Sequence, residues 1–248
     1  MVSPSPFIDN KITCVFFDFI GTLVKLSPDY EASLNYLYET IKRDGLTSSL
    51  EEFKKAYAAA YEMYLRVRQT EYREVTNSVW LTEALNSLGY PVSERERHIA
   101  AAINEYFDVF TAPTQSISCV KGILEQARKK YRLGLISNFT YAPAVYKMLR
   151  RFDLLHFFGS VTISHEVGFR KPHPNIFRKA LKDTRTSPEE AVMIGDTLKE
   201  DIVGAKVLGI RTVLIDVYGP KDESFENELR KNPPDLIIQD ICELREIL

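Results

Sequence analysis

The sequence predicts an α/β fold, a parallel sheet with helices on both faces, interrupted by an inserted α-helical bundle. Three observations predict it. A short run, ITCVFFD from Ile12 to Asp18, is apolar on both faces until its terminal carboxylate, as a central strand of a parallel sheet requires. A long stretch from Ser27 to Phe110 then follows a purely helical rhythm. After Ala112-Pro113-Thr114, strands and helices alternate to the end.

The elements read in order as follows. Ser27 before Pro28 predicts an N-cap with proline at the first helical position. Leu50, Phe53, Tyr57, Tyr61 and Tyr64 recur at helical spacing and mark one apolar face, read as helix packing rather than a substrate platform. Trp80, Leu81, Ala84, Leu85 and Leu88 repeat the pattern before Gly89. Ser93 with Glu96 predicts a capping box opening another helix. The block reads as about four helices with short connections. Beyond it, a helix over Val120 to Lys130 leads into RLGLIS, followed by the strands VTIS, AVMIGD, RTVLID and LIIQ. The first strand belongs with these, so the layout is a core of residues 9–24 and 115–248 with a helical cap over 25–114.

Composition bounds the function. The 248 residues can bury a sizeable core, and 45% hydrophobic with 27% charged residues is ordinary for a globular chain. With 32 basic against 34 acidic residues, no footprint for nucleic acid or an anionic membrane arises. The cluster of Lys129, Lys130 and Arg132 reads as a solvated face. Cys14, Cys119 and Cys242 are far apart in sequence and form no CxxC pair, which argues against a disulfide or structural zinc. No apolar run is long enough to span a bilayer, and Met1 to Phe7 reads as a loose arm rather than a signal peptide. The chain is placed in a reducing cytoplasm. Its oligomeric state leaves no sequence signal.

Open parallel sheets bind ligands outside the carboxyl ends of their strands. Four strands here end on polar residues: Asp18, Ser137-Asn138, Ser164 and Asp196. Gly21-Thr22 supplies a tight turn after Asp18, Lys171-Pro172 lies in the loop after the third strand, and Asp201 follows Asp196. Asp18, Asp196 and Asp201 are hard oxygen donors of the kind Mg²⁺ prefers. Ser137, Lys171 and the turn amides complement phosphate oxygens, and Gly21, Thr22 and Asn138 stand with Ser137 and Lys171 as candidate substrate-binding residues. Together they suggest phosphoryl transfer, with Asp18 as nucleophile, a cation shielding charge and Lys171 steadying nucleophile and phosphate.

Other groups invite weaker readings. His165, Glu166 and His173 read as loop residues at the crevice rim rather than metal ligands. Arg66, Arg68 and Arg73 read as a solvated helix end, and Lys42, Lys54 and Lys55 as solvent-facing helix residues.

The motifs DFIGTL at 18–23, LISN at 135–138, GFRKPHP at 168–174 and IGDTLKED at 194–201 stand in order on these elements. In them the chain resembles the haloacid dehalogenase-like hydrolase superfamily with a helical cap after the first motif. The resemblance implies a Rossmann-like core of strand order 5-4-1-2-3. It assigns Asp18 as nucleophile, with metal contacts from Asp18, Asp196 and the main-chain carbonyl of Ile20. It implies a Mg²⁺-dependent phosphatase of small phosphorylated metabolites working through an aspartyl phosphate.

One position departs from the family. Its phosphatases carry a second aspartate two residues after the nucleophile, which protonates the leaving group and then activates water. Ile20 can do neither, and loss of such a group removes roughly 10²- to 10⁴-fold in rate. Slow hydrolysis favouring good leaving groups is one consequence; delivery of the proton by a cap residue or a bound water is another. The alternatives are a metal-independent haloacid dehalogenase, whose family members also lack that aspartate, and a non-catalytic protein that binds phosphorylated ligands.

Overall fold

The structure, a computed structural model, describes residues 11–216 and 223–248. The expected N-terminal arm, Met1 to Phe7, lies outside the described residues.

Six strands form one parallel sheet: β1 (Cys14–Phe17), β2 (Arg132–Ser137), β3 (Ser160–Ile163), β4 (Ala191–Gly195), β5 (Arg211–Ile215) and β6 (Leu236–Ile238). Their order is β3-β2-β1-β4-β5-β6, all neighbours parallel. This is the anticipated 5-4-1-2-3 sequence of strands, extended at one edge by β6. Strand β1 shows why both faces must be apolar. Val15 and Phe17 join the larger apolar cluster on one face, while Cys14 and Phe16 join the second cluster on the other. Helices α5 (Val120–Ala127) and α6 (Ala142–Arg151) cover the first face, and α7 (Pro174–Thr184) covers the second through Ile176, Phe177 and Ala180.

Between β1 and β2 the chain leaves the sheet through a two-residue ribbon, Val24–Lys25 paired antiparallel with Gln115–Ser116. Four α-helices lie beyond it: α1 (Tyr30–Arg43), α2 (Leu50–Arg66), α3 (Asn77–Ser87) and α4 (Arg97–Thr111). Their apolar faces meet as the periodicity anticipates. Phe53 and Tyr57 of α2, and Trp80, Leu81, Ala84 and Leu85 of α3, are buried, whereas Tyr61 is exposed. Gly89, at φ +76°, turns the chain just beyond α3.

Helix starts differ from expectation. The cap of α1 is Asp29, whose carboxylate accepts the Ala32 N–H, so Ser27-Pro28 is approach rather than cap. Glu96 accepts the Ser93 N–H, but this closes a turn ahead of α4, which starts at Arg97. Helix α2 opens on a complete capping box, Ser49 with Glu52.

The expectation of unpaired cysteines is overturned. Cys119 and Cys242 form a disulfide across 123 residues of sequence, and Cys14 is the buried free thiol. Spacing gave no warning because the pairing is tertiary: the turn of 3₁₀ helix Ile241–Glu246 packs against α5, bringing Cys242 beside the residue that precedes it. The premise for a reducing compartment falls with it. No helix among the described residues is long and apolar enough to cross a membrane.

A cross-link closing so long a loop restricts the unfolded chain. Cys242→Ser is expected to lower the unfolding free energy by about 2–4 kcal/mol, and reductant should bring the wild type to the same value. Denaturant unfolding with and without reductant checks this; identical stability of all three samples would show that the cross-link constrains nothing.

Candidate active site

The register of the sheet assembles the polar strand ends. Phe17 stands level with Leu135 on one side and Ile194 on the other, so Asp18 emerges between Ile136 and Gly195. Its N–H donates to the Ile194 carbonyl at 2.9 Å. Asp196 leaves β4 at the same level, and Lys171 reaches in from the loop between β3 and α7.

Lys171 is the hub. It is 1% exposed, and its Nζ donates to Asp18 Oδ1 at 2.6 Å, Asp201 Oδ1 at 2.6 Å and the Ile136 carbonyl at 2.8 Å. An ammonium has three hydrogens, so all are used. Burial pulls the ammonium pKa down, but the charges of Asp18 and Asp201 outweigh it and hold it above the ordinary lysine value. Lysine is thus a fixed cation here.

Asn138 holds that loop in place. Its Oδ1 accepts the Lys171 N–H at 2.7 Å and its Nδ2 donates to the Lys171 carbonyl at 3.0 Å and to Glu200 at 2.9 Å. The side chain expected to meet phosphate is therefore committed to the lysine's own peptide. Thr22 is committed likewise: buried, it donates to Asp196 Oδ1 at 3.3 Å. The Gly21 amide also turns inward, to the Val24 carbonyl at 2.8 Å. Gly21 is glycine for two reasons: its φ is +94°, and a Cβ there would lie 2.3 Å from Asp196 Oδ2. Ser137 is buried at the end of β2, and its hydroxyl makes no hydrogen bond among the described residues.

Asp18, Asp196 and Asp201 bring oxygens within 4.8 Å of one another. They are not equivalent. Asp201 gives Oδ1 to Lys171 and Oδ2 to the Thr197 N–H, so both oxygens are spoken for. Asp18 gives Oδ1 to Lys171, while its buried Oδ2 has no hydrogen-bond partner. The turn after it also bypasses the Ile20 carbonyl, since Phe19 and Val24 supply the acceptors. Burial pushes Asp18 up to about 6 against the pull of Lys171, and the charge of Asp196 adds to the rise. Asp196 is raised to about 6 by burial and Asp201. Asp201 is raised to about 7 by burial, with Asp18 adding. Asp196 opens onto a cavity of about 530 Å³ that Ile20, Gly21, Thr22 and Lys25 also line.

The sequence missed a second network. The segment Tyr72 to Glu74, between α2 and α3, runs beside Gly168 to Arg170 of the lysine loop. Glu74 N–H donates to the Gly168 carbonyl at 3.0 Å and Arg170 N–H to the Tyr72 carbonyl at 2.9 Å. The Glu74 carboxylate, its side chain 1% exposed, accepts from Arg68 Nε at 3.1 Å and from the Ser164 hydroxyl, with Arg170 at 3.7 Å. Ser164, a polar strand end, thus anchors the helical block rather than opening onto the crevice floor. Arg68 corrects an expectation outright: its side chain is 13% exposed and it stacks 5.2 Å over Trp80, while Arg66 and Arg73 are exposed as anticipated. A lone glutamate in an aperiodic segment gave no sequence signal. The other acid of this network, Glu200, was legible only as a member of IGDTLKED. His173 caps α7 and stacks on Phe169, apart from any metal-binding cluster among the described residues.

Among known proteins, the family model for haloacid dehalogenase-like hydrolase matches residues 12–209. The chain belongs to that family. It is a hydrolase, and its relatives are phosphatases and dehalogenases. It is 30% identical over 251 aligned positions to a glyceraldehyde 3-phosphate phosphatase of Pyrococcus furiosus, covering 96% of this chain and 94% of that one. A phosphoserine phosphatase of Thermus thermophilus is 42% identical over 44% of this chain and 43% of its own. Among solved structures, a HAD phosphatase from Thermococcus onnurineus superposes with TM-score 0.64 at 24% identity, over 95% of this chain and 97% of that one. A 2-haloacid dehalogenase from Pseudomonas syringae gives 0.67 at 22%, over 95% and 97%. The family members thus share the fold across different chemistries.

The raised carboxyl pKa values have a stability consequence. A carboxyl held above its unfolded value binds protons on folding, so stability is lost as pH rises through the window from about 4 to about 6 for Asp196. In chelator, Asp196→Asn is expected to remove roughly 1–3 kcal/mol of that loss. The difference between wild type and variant in denaturant unfolding at successive pH values measures it. A variant that is less stable than wild type at pH 7 would show that burial does not penalise this charge.

Proposed function

We propose that the protein is a Mg²⁺-dependent phosphoric monoester hydrolase that forms a phosphoryl intermediate on Asp18. One observation carries the reading: Asp18 has one oxygen clamped by Lys171 and a second, buried oxygen without a partner, beside Asp196. An acceptor in that state calls for a cation or an incoming electrophile. The phosphatase names of the curated relatives support the same class.

The donor set fits magnesium. Three carboxylates around one ammonium leave two negative charges in a buried site, and all the free donors are hard oxygens. Asp18 Oδ2, Asp196 and the Ile20 carbonyl are the groups that would hold the ion. Asp201, named beside them from the sequence, has both oxygens engaged and acts instead by positioning Lys171. Bound there, Mg²⁺ neutralises charge on phosphoryl oxygens and lowers the barrier to anionic attack.

The chain's own residues do the rest. Asp18 attacks phosphorus through a carboxylate oxygen, the bond from phosphorus to the leaving oxygen breaks, and that oxygen leaves with its electron pair. Lys171 keeps Asp18 oriented and offsets negative charge as it spreads over the phosphoryl group. Ser137, whose hydroxyl is uncommitted among the described residues, lines the phosphoryl position. Water then attacks phosphorus, releases phosphate and restores the carboxylate. Ile20 offers no proton to the leaving oxygen and no base to the water. Leaving groups that depart as stable anions, aryl or acyl, are therefore favoured.

The dehalogenase alternative draws on Ile20 and leaves Asp196 and its Thr22 support without a task. The two readings part in one assay: aryl, acyl and alkyl phosphates and a haloacid, each with magnesium and with chelator. Phosphate release that ignores chelation would sink the metal-dependent reading, and halide release would favour the dehalogenase. Tight phosphate binding without turnover would favour a binding protein.

Ile20→Asp restores the missing acid and base. Alkyl phosphate turnover is expected to rise by roughly 10²-fold, and aryl phosphate turnover far less. Steady-state kinetics on both substrates decide it, and an equal change would show that residue 20 does not face the leaving group. A third outcome concerns binding alone: magnesium should raise the unfolding temperature of the wild type and shift Asp196→Asn much less, as thermal unfolding reads directly.

A further inference from the structure

A second cavity, of about 310 Å³, lies between the helical block and the sheet. Ile20 belongs to its wall and also to the wall of the cavity that holds Asp196. A phosphate ester with its phosphoryl group at Asp18 would pass its leaving group over Ile20 into this chamber. The walls are aromatic: Tyr30, Trp80, Tyr106, Phe107, Phe110 and Phe139. Phe107 lies edge-on to Tyr106 and Phe110, and Phe139 tilts against it, so the rings form one packed surface.

Polar groups in the chamber are few and mostly committed. Asn77 donates to the Tyr57 hydroxyl at 2.9 Å and accepts from the Thr140 hydroxyl at 2.6 Å. Asn138 is taken by Lys171 and Glu200. Among the described residues Arg68 is the one charged side chain lining it, and no carboxylate or histidine does. Its Nε is fixed by Glu74 and its guanidinium plane lies over Trp80. Its Nη groups make no hydrogen bond among the described residues. Glu74 also lies 3.7 Å from Arg170, while Glu200 pairs with Arg170; Arg68 also lines a cavity of about 450 Å³ with Arg170, Lys199 and Glu200. A half-buried, oriented guanidinium with spare donors, facing an aromatic chamber, is a receptor for a planar anion.

We infer that Arg68 is a specificity-determining residue that receives an anionic group on the leaving portion of an aromatic phosphate monoester. This rests on the phosphatase reading for where the phosphoryl group sits, and it names the substrate class. It also accords with Ile20, because a phenolate leaves without an acid. Glu74 is the positioning residue, fixing Arg68 from the loop that meets Gly168 and Arg170.

The test compares 4-carboxyphenyl phosphate with phenyl phosphate, which differ by one carboxylate. Trp80 is the only tryptophan of the chain and lines the chamber, so its fluorescence reports occupancy. In Asp18→Asn, with magnesium, the carboxylated compound is expected to bind about tenfold or more tightly than phenyl phosphate. Arg68→Met should bring that ratio to near one, and Arg68→Lys should keep part of it. In the wild type the same preference should show in kcat/KM. Equal affinities in Asp18→Asn would overturn the inference, as would a preference that survives Arg68→Met. Should Arg68→Met fail to fold, Arg68→Gln and the Asp18→Asn ratio decide. Discriminating binding without any turnover would refute the phosphatase reading while leaving Arg68 its role; turnover without discrimination would do the reverse.

Discussion

Lys171 is the group on which the rest of the site depends. An ammonium that is 1% exposed can be held only if every hydrogen finds an acceptor, and two carboxylates and the Ile136 carbonyl provide them. Each acceptor comes from a different part of the fold: Asp18 from the end of β1, Ile136 from β2, Asp201 from the segment after β4. The cation therefore fixes the relative positions of three strand ends. It also decides which Asp18 oxygen is free. Burial, with the carboxylates' mutual repulsion added to it, raises the pKa values of all three and is the counterpart of that arrangement: the sheet stores a deficit of positive charge where a divalent cation and a phosphoryl group would be placed.

The helical block is joined to this site through the same loop. Asn138 grips the Lys171 peptide from one side, and the Tyr72 to Glu74 segment pairs with Gly168 to Arg170 from the other. Glu74 lies where Arg68, Arg170 and Ser164 meet, so a carboxylate of the helical block is bound to the sheet and to the lysine loop together. Any movement of the block over Asp18 must break or carry this contact. Both π-helical turns among the described residues, at Val67–Glu71 and Leu198–Val203, border this junction, and such turns are frequent at functional sites.

The fold was legible because it rests on periodicity. A buried parallel strand must be apolar on both faces and must end where a polar residue can meet solvent, and both signals are local in sequence. The same logic located Asp18, Ser137, Lys171 and Asp196. What stayed hidden depends on tertiary contacts. Cys119 and Cys242 pair only because the C-terminal turn docks beside α5. Arg68 looks like a helix-end cation until Glu74 folds it inward over Trp80. Asn138, Thr22 and the Gly21 amide carry phosphate-binding chemistry by type, yet the structure commits them to Lys171, Asp196 and the turn itself. Residue type announces what a group can bind, whereas burial and the nearest partner decide what it does bind.

Ile20 divides the reaction in two. In the proposed mechanism, attack by Asp18 draws on Lys171 and on the cation the carboxylates would hold, while opening of the intermediate lacks its usual base. The most direct measurement is peptide mass analysis of enzyme quenched in acid during turnover of an aryl phosphate with magnesium. A phosphoryl group is expected on the peptide containing Asp18, accumulating because its hydrolysis is the slow step and diminished in Ile20→Asp. Steady release of phosphate with Asp18 never modified would contradict it.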